Sequence, residues 1–451
     1  MQGSIVGKAF AYLVWGVRDE DHAVVGTVFD PHATRVGNEE LESWLLRLLE
    51  PKLDFRFFPV QVDGHRIVLL EIARAARHPV RFSGQEFLRV GTYKKKLKDF
   101  QEKERALWRI FDQTSFEDGV TSERVTGDDV LTLLDYPAYF DLLERPLPAG
   151  RDGILASLSE DRLIRRSDAG GWDITNLGAI LFAKRLDAFH ALRRKAVRVI
   201  QYRGNGRTET LKEQVGGKGY ACGFEGLVGF INGLLPANEI IEQALRRSVP
   251  MFPELAVREL VANALIHQDL FVTGAGPMVE IFDDRIEITN PGRPLVDTQR
   301  FLDTPPRSRN EALASLMRRF RICEERGSGI DKVVFQIEMY QLPAPLFETP
   351  GESTRIVLFG HRALKDMEKA DRVRACYLHA CLRYVTRQPM TNTSLRERFG
   401  IEERNAATAS TLLNEAVDAG LIVIQDPAVG YRLRRYLPFW AAPEPQQGGV
   451  A

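Results

Sequence analysis

The stretch VRELVANALIHQDL, Val257 to Leu270, decides how this chain is read. Glu259, Asn263 and His267 recur every four residues among Ala, Leu, Val and Ile, and positions four apart share one face of a helix. Leu260, Val261, Ala264 and Leu265 fall on the other side, where they can be buried. A helix this apolar aims its acid, amide and imidazole at something polar: solvent, a neighbouring polar group, or a ligand with a metal.

Working outward, the 451 residues suffice for three or four ordinary domains. A 44% hydrophobic and 27% charged composition is that of a soluble globular protein. Lys+Arg and Asp+Glu are both 61, so no global field favours nucleic acid or membrane, and any such contact needs a local patch. Cys222, Cys323, Cys376 and Cys381 lack C-x-x-C spacing, which argues against zinc and a disulfide framework and suits a reducing cytosol. The N-terminal MQGSIVGKAFAYLVWGV is too short and polar for a membrane span and lacks a signal-peptide layout. The expected location is the cytoplasm.

Residues 1–100 read as an α+β unit. AYLVWGV and AVVGTVF read as strands, NEELESWLLRLLE as an amphipathic helix, and FRFFPVQV-DGH-RIVLLEIA as a hairpin turning at Asp63-Gly64. The charged helix QEKERALWRIF leads out of it, and residues 122–188 read as short helices ending in a wing-like hairpin around SDAGG. AVRVIQYRG reads as a buried strand, GFEGLVGFINGLL and EIIEQALRRSV as helices, and PMVEIFDDRIEITNPG as two strands joined at Asp283-Asp284. The helix NEALASLMRRFRI, a glycine turn entering a further helix, and the strand STRIVLFG follow.

Asn290, Pro291 and Gly292 follow a strand, and Gly327, Ser328 and Gly329 precede a helix. Unpaired N–H groups at a glycine-rich helix entrance form an anion site, although most such turns are only turns. Taken in order, RELVANALIHQD, IEITNPG, RN and ERGSGI resemble the GHKL ATPases of the Bergerat fold. They more closely resemble the divergent branch found in bacterial regulators with a Schlafen AlbA-like domain.

That resemblance implies ATP and Mg²⁺, with Asn263 as the metal ligand and Glu259 as the residue that orients or activates water. It places Asn290 where the family usually has an adenine-binding Asp, an uncharged and weaker acceptor, and sets Gly327, Ser328 and Gly329 over the phosphates. His267 is open to two readings, a phosphate contact or a hydrogen-bonded structural residue. With Asp269 it offers too few ligands for zinc.

YLVWGVRDEDHAVVGTVFDP and HPVRFSGQEFLRVGTYKKKLKDF resemble the Schlafen AlbA-like domain. The second carries Arg89, Lys94, Lys95, Lys96 and Lys98, suited to neutralising phosphates without reading sequence. A lysine run also guards strand edges. The family's extra N-terminal helix does not precede the first strand here, so a short domain or an upstream start is expected, and the Schlafen nuclease carboxylates have no counterpart to carry over.

Residues 371–441 read as a second winged-helix pattern. Thr391 or Asn392 caps its first helix-turn-helix helix, and Gly400-Ile401 makes the turn. A recognition helix starts at Arg404, with Asn405, Thr408 and Thr411 near its exposed end, and Arg432, Arg434 and Arg435 lie on the wing. A packing or dimerising module is the alternative. The expected layout is α+β and multidomain: an AlbA-like domain at 1–100, a helical and winged-helix linker at 101–190, a GHKL α/β sandwich at 191–360, a DNA-binding winged helix at 371–441 and a disordered tail at 442–451. The expected function is a regulator whose nucleotide site modulates DNA (or RNA) binding, as a monomer or a homo-oligomer. The alternatives are an ATP-hydrolysing effector on nucleic acid, as in phage defence, and a nucleotide-free scaffold.

Overall fold

A computed structural model describes residues 10–50, 52–53, 55–73, 75, 79–90, 93–112, 115–167, 170–242, 245–323 and 329–442, so the expected tail beyond 442 lies outside the described residues. The chain forms two compact units, residues 1–115 and 116–451, of mixed α and β structure.

In the first unit, strands β1 (Phe10–Trp15), β2 (Phe55–Val62) and β3 (His65–Ala73) form an antiparallel sheet in the order β1-β3-β2. The β2–β3 turn is the Asp63-Gly64 pair, at φ 48° and 78°, the left-handed geometry that matches strand twist in a two-residue hairpin. Helix α1 (Leu41–Leu48) covers the sheet with Leu41 and Leu45, packing against Phe57, Val68, Leu70 and the stacked Trp15–Phe29 pair. The expected strand over 23–29 reduces to a single bridge, Val17 to Val24. Positive φ at Gly16 and Gly26 breaks the extended run, so its N–H groups bond to Gly16 and Arg66 instead of forming a ladder. Strands β4 (Gln85–Val90) and β5 (Tyr93–Lys96) form a hairpin, followed by helix α2 (Gln101–Asp112).

The second unit begins with β6 (Val120–Val125), helices α3 (Gly127–Leu133), α4 (Tyr136–Leu142) and α5 (Arg151–Glu160), then β7 (Ile164–Arg166) and β8 (Trp172–Thr175), in the sheet order β6-β8-β7. Thr126 and Asp129 close a reciprocal capping box that starts α3. The wholly buried α6 (Asn176–Phe182) joins this part to a six-stranded sheet through one continuous apolar core.

That sheet contains β9 (Arg198–Tyr202), β10 (Thr210–Val215), β13 (Met278–Ile281), β14 (Arg285–Pro291), β15 (Leu346–Glu348) and β16 (Ser353–Phe359), in the order β10-β9-β13-β14-β16-β15. Only β9 and β13 run parallel. Val279, Ile281, Ile286, Ile288 and Leu358 enter the core beneath helices α7 (Tyr220–Leu234) and α8 (Glu254–His267). On the opposite face Glu280 and Glu287 are direct cross-strand neighbours and buried. Like charges so placed repel, and the Arg207 guanidinium bridges them at 2.6 and 2.7 Å.

Between α7 and α8 the segment expected as a helix, residues 239–249, forms instead the hairpin β11 (Ala237–Glu242) and β12 (Leu245–Pro250). The β-branched Ile240-Ile241 pair and the bracketing Pro236 and Pro250 favour extended backbone over a helix.

Helices α9 (Glu311–Arg319) and α10 (Gly329–Met339) complete the α layer. A last group comprises α11 (Lys369–Val385), α12 (Asn392–Phe399), α13 (Ala406–Asp418) and the hairpin of β17 (Ile422–Ile424) and β18 (Tyr436–Pro438). Thr391 caps α12, and Gly400 ends it at φ 63°. The helix expected from Arg404 begins two residues later, at Ala406. Glu403–Asn405 is a 3₁₀ turn, and Arg404 pairs with Glu402. Val334 of α10 joins this group's core, and buried His379 links Glu338 of α10 (2.9 Å) to Ser394 of α12 (3.1 Å).

Candidate functional site

The row on α8 faces a cavity of about 550 Å³ within the second unit. Glu259, Asn263 and His267 line it together with Asn290 of β14, Thr354 of β16 and Gly329 at the start of α10. Residues far apart in sequence therefore converge because α8 lies over β14 and α10 lies beside α8. Gly327 and Ser328 lie outside the described residues.

Glu259 is 7% exposed, and its carboxylate lies against the first residue of α10. A Cβ on Gly329 would come within 2.7 Å of Glu259 Cδ, so only glycine permits this approach. An anion is favoured there by the unpaired N–H groups that open a helix. The Asn263 amide nitrogen points to Glu259 Oε1 at 3.5 Å, which leaves Asn263 Oδ1 without a protein partner among the described residues. Among those residues no group of three His, Cys, Asp or Glu side chains is placed to hold a metal. A metal here would have Asn263 Oδ1 as its protein oxygen and draw the rest from a ligand and water, the habit of Mg²⁺.

Asn290 is buried at the end of β14, with its amide bonded to the Pro291 carbonyl at 3.2 Å. Its register partner across the sheet is Thr354, whose hydroxyl donates to the Gly292 carbonyl at 2.7 Å. Gly292 has φ 102°, and a side chain there would meet Asp269 and Arg309. Its role is a tight turn behind the cavity wall, since it does not itself line the space. Arg309 and Asn310 close the far end of α8: Arg309 donates to the His267 carbonyl (3.1 Å), and Asn310 to those of Ile266 and Gln268 (2.8 Å each). These bonds satisfy carbonyls that the helix end leaves open.

Sequence reasoning missed Thr354, Arg307 and Arg318 on this wall. Arg318 had a readable signal, because Glu311, Ala314, Ser315 and Arg318 share one face of α9. Thr354 had none, because only strand register brings it to Asn290.

Burial, with a smaller contribution from the Arg309 charge, lowers the His267 pKa to about 4, and burial raises that of Asp331 to about 6. The two have opposite consequences. Between the ordinary histidine value near 6.5 and about 4, the unfolded chain holds the extra proton, so falling pH removes stability through His267. For Asp331 the folded state holds it between about 3.8 and 6, so rising pH removes stability. We expect the two contributions to oppose each other in wild type. Relative to wild type, His267→Gln should tilt the melting curve towards falling with pH, and Asp331→Asn towards rising with it. Thermal melts at half-unit intervals test this, and parallel curves for all three proteins would refute it.

The remaining candidates lie elsewhere. Register in the β4–β5 hairpin pairs Arg89 with Lys94 and Phe87 with Lys96, placing all four on one face, with Lys94 Nζ 4.4 Å from the Phe87 ring centre. Lys95 points to the other face, and Lys98 lies in the following 3₁₀ turn. In the last helical group Arg404, Asn405, Thr408 and Arg432 are exposed, whereas Arg434 is partly buried with its guanidinium over the Tyr431 ring.

Residues 7–98 match the family "Schlafen, AlbA_2", and residues 274–358 match "Putative ATP-dependent DNA helicase recG C-terminal", a HATPase_c_4 family. The chain is thus an AlbA-like plus ATPase-like domain protein. The second match takes in Asn290, Gly292 and Gly329, while α8 precedes it. The crystal structure of the DIP2311 protein from Corynebacterium diphtheriae is similar over 95% of this chain and 82% of that one, at 20% identity and a TM-score of 0.43. No curated protein matches the chain significantly. No helix among the described residues is long and apolar enough to cross a membrane.

Proposed function

We propose that the protein binds ATP with Mg²⁺ in the α8 cavity and uses nucleotide occupancy to modulate nucleic-acid binding, as a transcriptional regulator does. The observation that carries this reading is the convergence of Glu259, Asn263, Asn290 and Gly329 on one cavity beside the ATPase-like segment. In this reading the sheet with α7, α8 and α10 is a GHKL-type sandwich. Asn263 Oδ1 ligates the metal, which neutralises phosphate charge when bound. Asn290 accepts from the base, and the turn through Gly327, Ser328 and Gly329 covers the phosphates. Glu259 is the candidate base, and His267, uncharged near neutral pH, packs at the cavity wall. Titration calorimetry of the full chain with ATP and Mg²⁺ tests the reading, and the absence of heat at millimolar nucleotide would favour a scaffold. Turnover stimulated by nucleic acid would favour an effector.

The AlbA-like domain and its basic hairpin support nucleic-acid contact, and α11–α13 with β17–β18 are read as a winged helix. Arg404, Asn405 and Thr408 would face bases, and Arg432 and Arg434 phosphates. Replacing Lys94, Lys95 and Lys96 by Ala is expected to weaken binding to all DNA sequences alike and to flatten its salt dependence, by roughly one unit of log–log slope per lost phosphate contact. Replacing Arg404 and Asn405 is expected to narrow the gap between preferred and random DNA. Binding titrations in a salt series decide both. A wild-type slope in the lysine variant would make the hairpin an edge guard, and unchanged discrimination in the other would make the last module a packing unit.

A further inference from the structure

The cavity wall carries three arginines that differ in what they hold. Arg309 is tied to the main-chain carbonyls of His267 and Arg293. Arg307 and Arg318 also line the cavity, yet neither side chain makes a hydrogen bond, ion pair or ring contact among the described residues. Among the described residues no carboxylate pairs with either guanidinium. Glu259 is engaged at Gly329 and Asn263, and Glu311 lies two turns before Arg318, about 10 Å along α9.

Between Glu311 and Arg318 the cavity face of α9 holds only the small Ala314 and Ser315, which leaves room beside the guanidinium. From Arg318 the chain passes through Cys323 to Gly329, and both line the same cavity. Arg318 therefore lines the same cavity as Gly329, Asn263 and Glu259. A guanidinium presents a planar fork of donors that matches two oxygens of a phosphate. Partly buried and unpaired among the described residues, that of Arg318 gains most from an anion that arrives with the ligand.

We propose that Arg318, assisted by Arg307, binds the terminal phosphate of a nucleoside triphosphate and makes the cavity select triphosphate over diphosphate. The inference rests on the nucleotide reading of the cavity and adds its selectivity. Neither side chain has a structural partner among the described residues, so glutamine variants are expected to keep the fold, which circular dichroism checks.

The test is titration calorimetry of the full chain with ATP and with ADP, each with Mg²⁺. Wild type is expected to prefer ATP by about tenfold or more, the effect of a charge-assisted hydrogen bond. Arg318→Gln should bring that ratio close to one while leaving ADP affinity within about threefold, and Arg307→Gln should move it part of the way. A ratio unchanged in Arg318→Gln, an equal loss of both nucleotides, or a wild type without preference overturns this inference and leaves nucleotide binding standing. A wild type that binds neither nucleotide overturns the nucleotide reading and this inference with it.

Discussion

Asn263→Ala is expected to abolish Mg²⁺-dependent ATP binding. The substitution removes the amide oxygen of a cavity-lining residue, one without a protein partner among the described residues, and no cluster of carboxylates or imidazoles among those residues could take its place. On the proposed reading, a magnesium ion deprived of that oxygen would be held by phosphate and water alone, so nucleotide and metal would lose their common anchor. Calorimetry should then show no heat at nucleotide concentrations that saturate wild type. Glu259→Gln is the contrasting variant: it keeps the shape that packs under Gly329, so binding should persist. If wild type hydrolyses ATP, loss of basicity should slow turnover in that variant. Equal affinity in wild type and Asn263→Ala would remove Asn263 from the metal, and equal turnover in Glu259→Gln would remove Glu259 from the base role.

The second large effect is expected from Gly329→Ala. The added methyl would overlap the Glu259 carboxylate, which would have to leave its place against the first residue of α10. Overpacking of this kind costs about 2 kcal/mol, and the displaced carboxylate would alter the cavity wall that Glu259 lines. Glu259→Ala empties that space. In a double-mutant cycle, Gly329→Ala should therefore cost much less in the Glu259→Ala background than alone. Denaturant unfolding of the four proteins measures this, and additive costs would show that the two residues do not collide. Nucleotide titration of the single variant should show the loss of binding that accompanies the strain.

The elements that could be read from sequence are those whose signal is local. The Asp63-Gly64 turn follows from two residues, because its left-handed backbone favours Asp and Gly over most pairs. The start and stop of α12 follow from Thr391 and Gly400 for the same kind of reason. The segment at 239–249 misled because its apolar residues also fit a helical spacing. Two adjacent β-branched residues between prolines decided for a hairpin. Arg404 was read into a helix that starts two residues later, an error confined to a helix end, where periodicity carries the least information.

By itself, the sequence determined that Glu259, Asn263 and His267 share one face of a helix and that this face must meet something polar, because helical period is a property of consecutive residues. Tertiary structure alone decided what they meet. Strand register set Thr354 beside Asn290, the packing of α10 on α8 set Glu259 under Gly329, and the path of α9 set Arg318 on the cavity wall. Each of these depends on contacts between segments tens of residues apart, and such contacts are fixed by how whole faces bury against one another rather than by any local pattern.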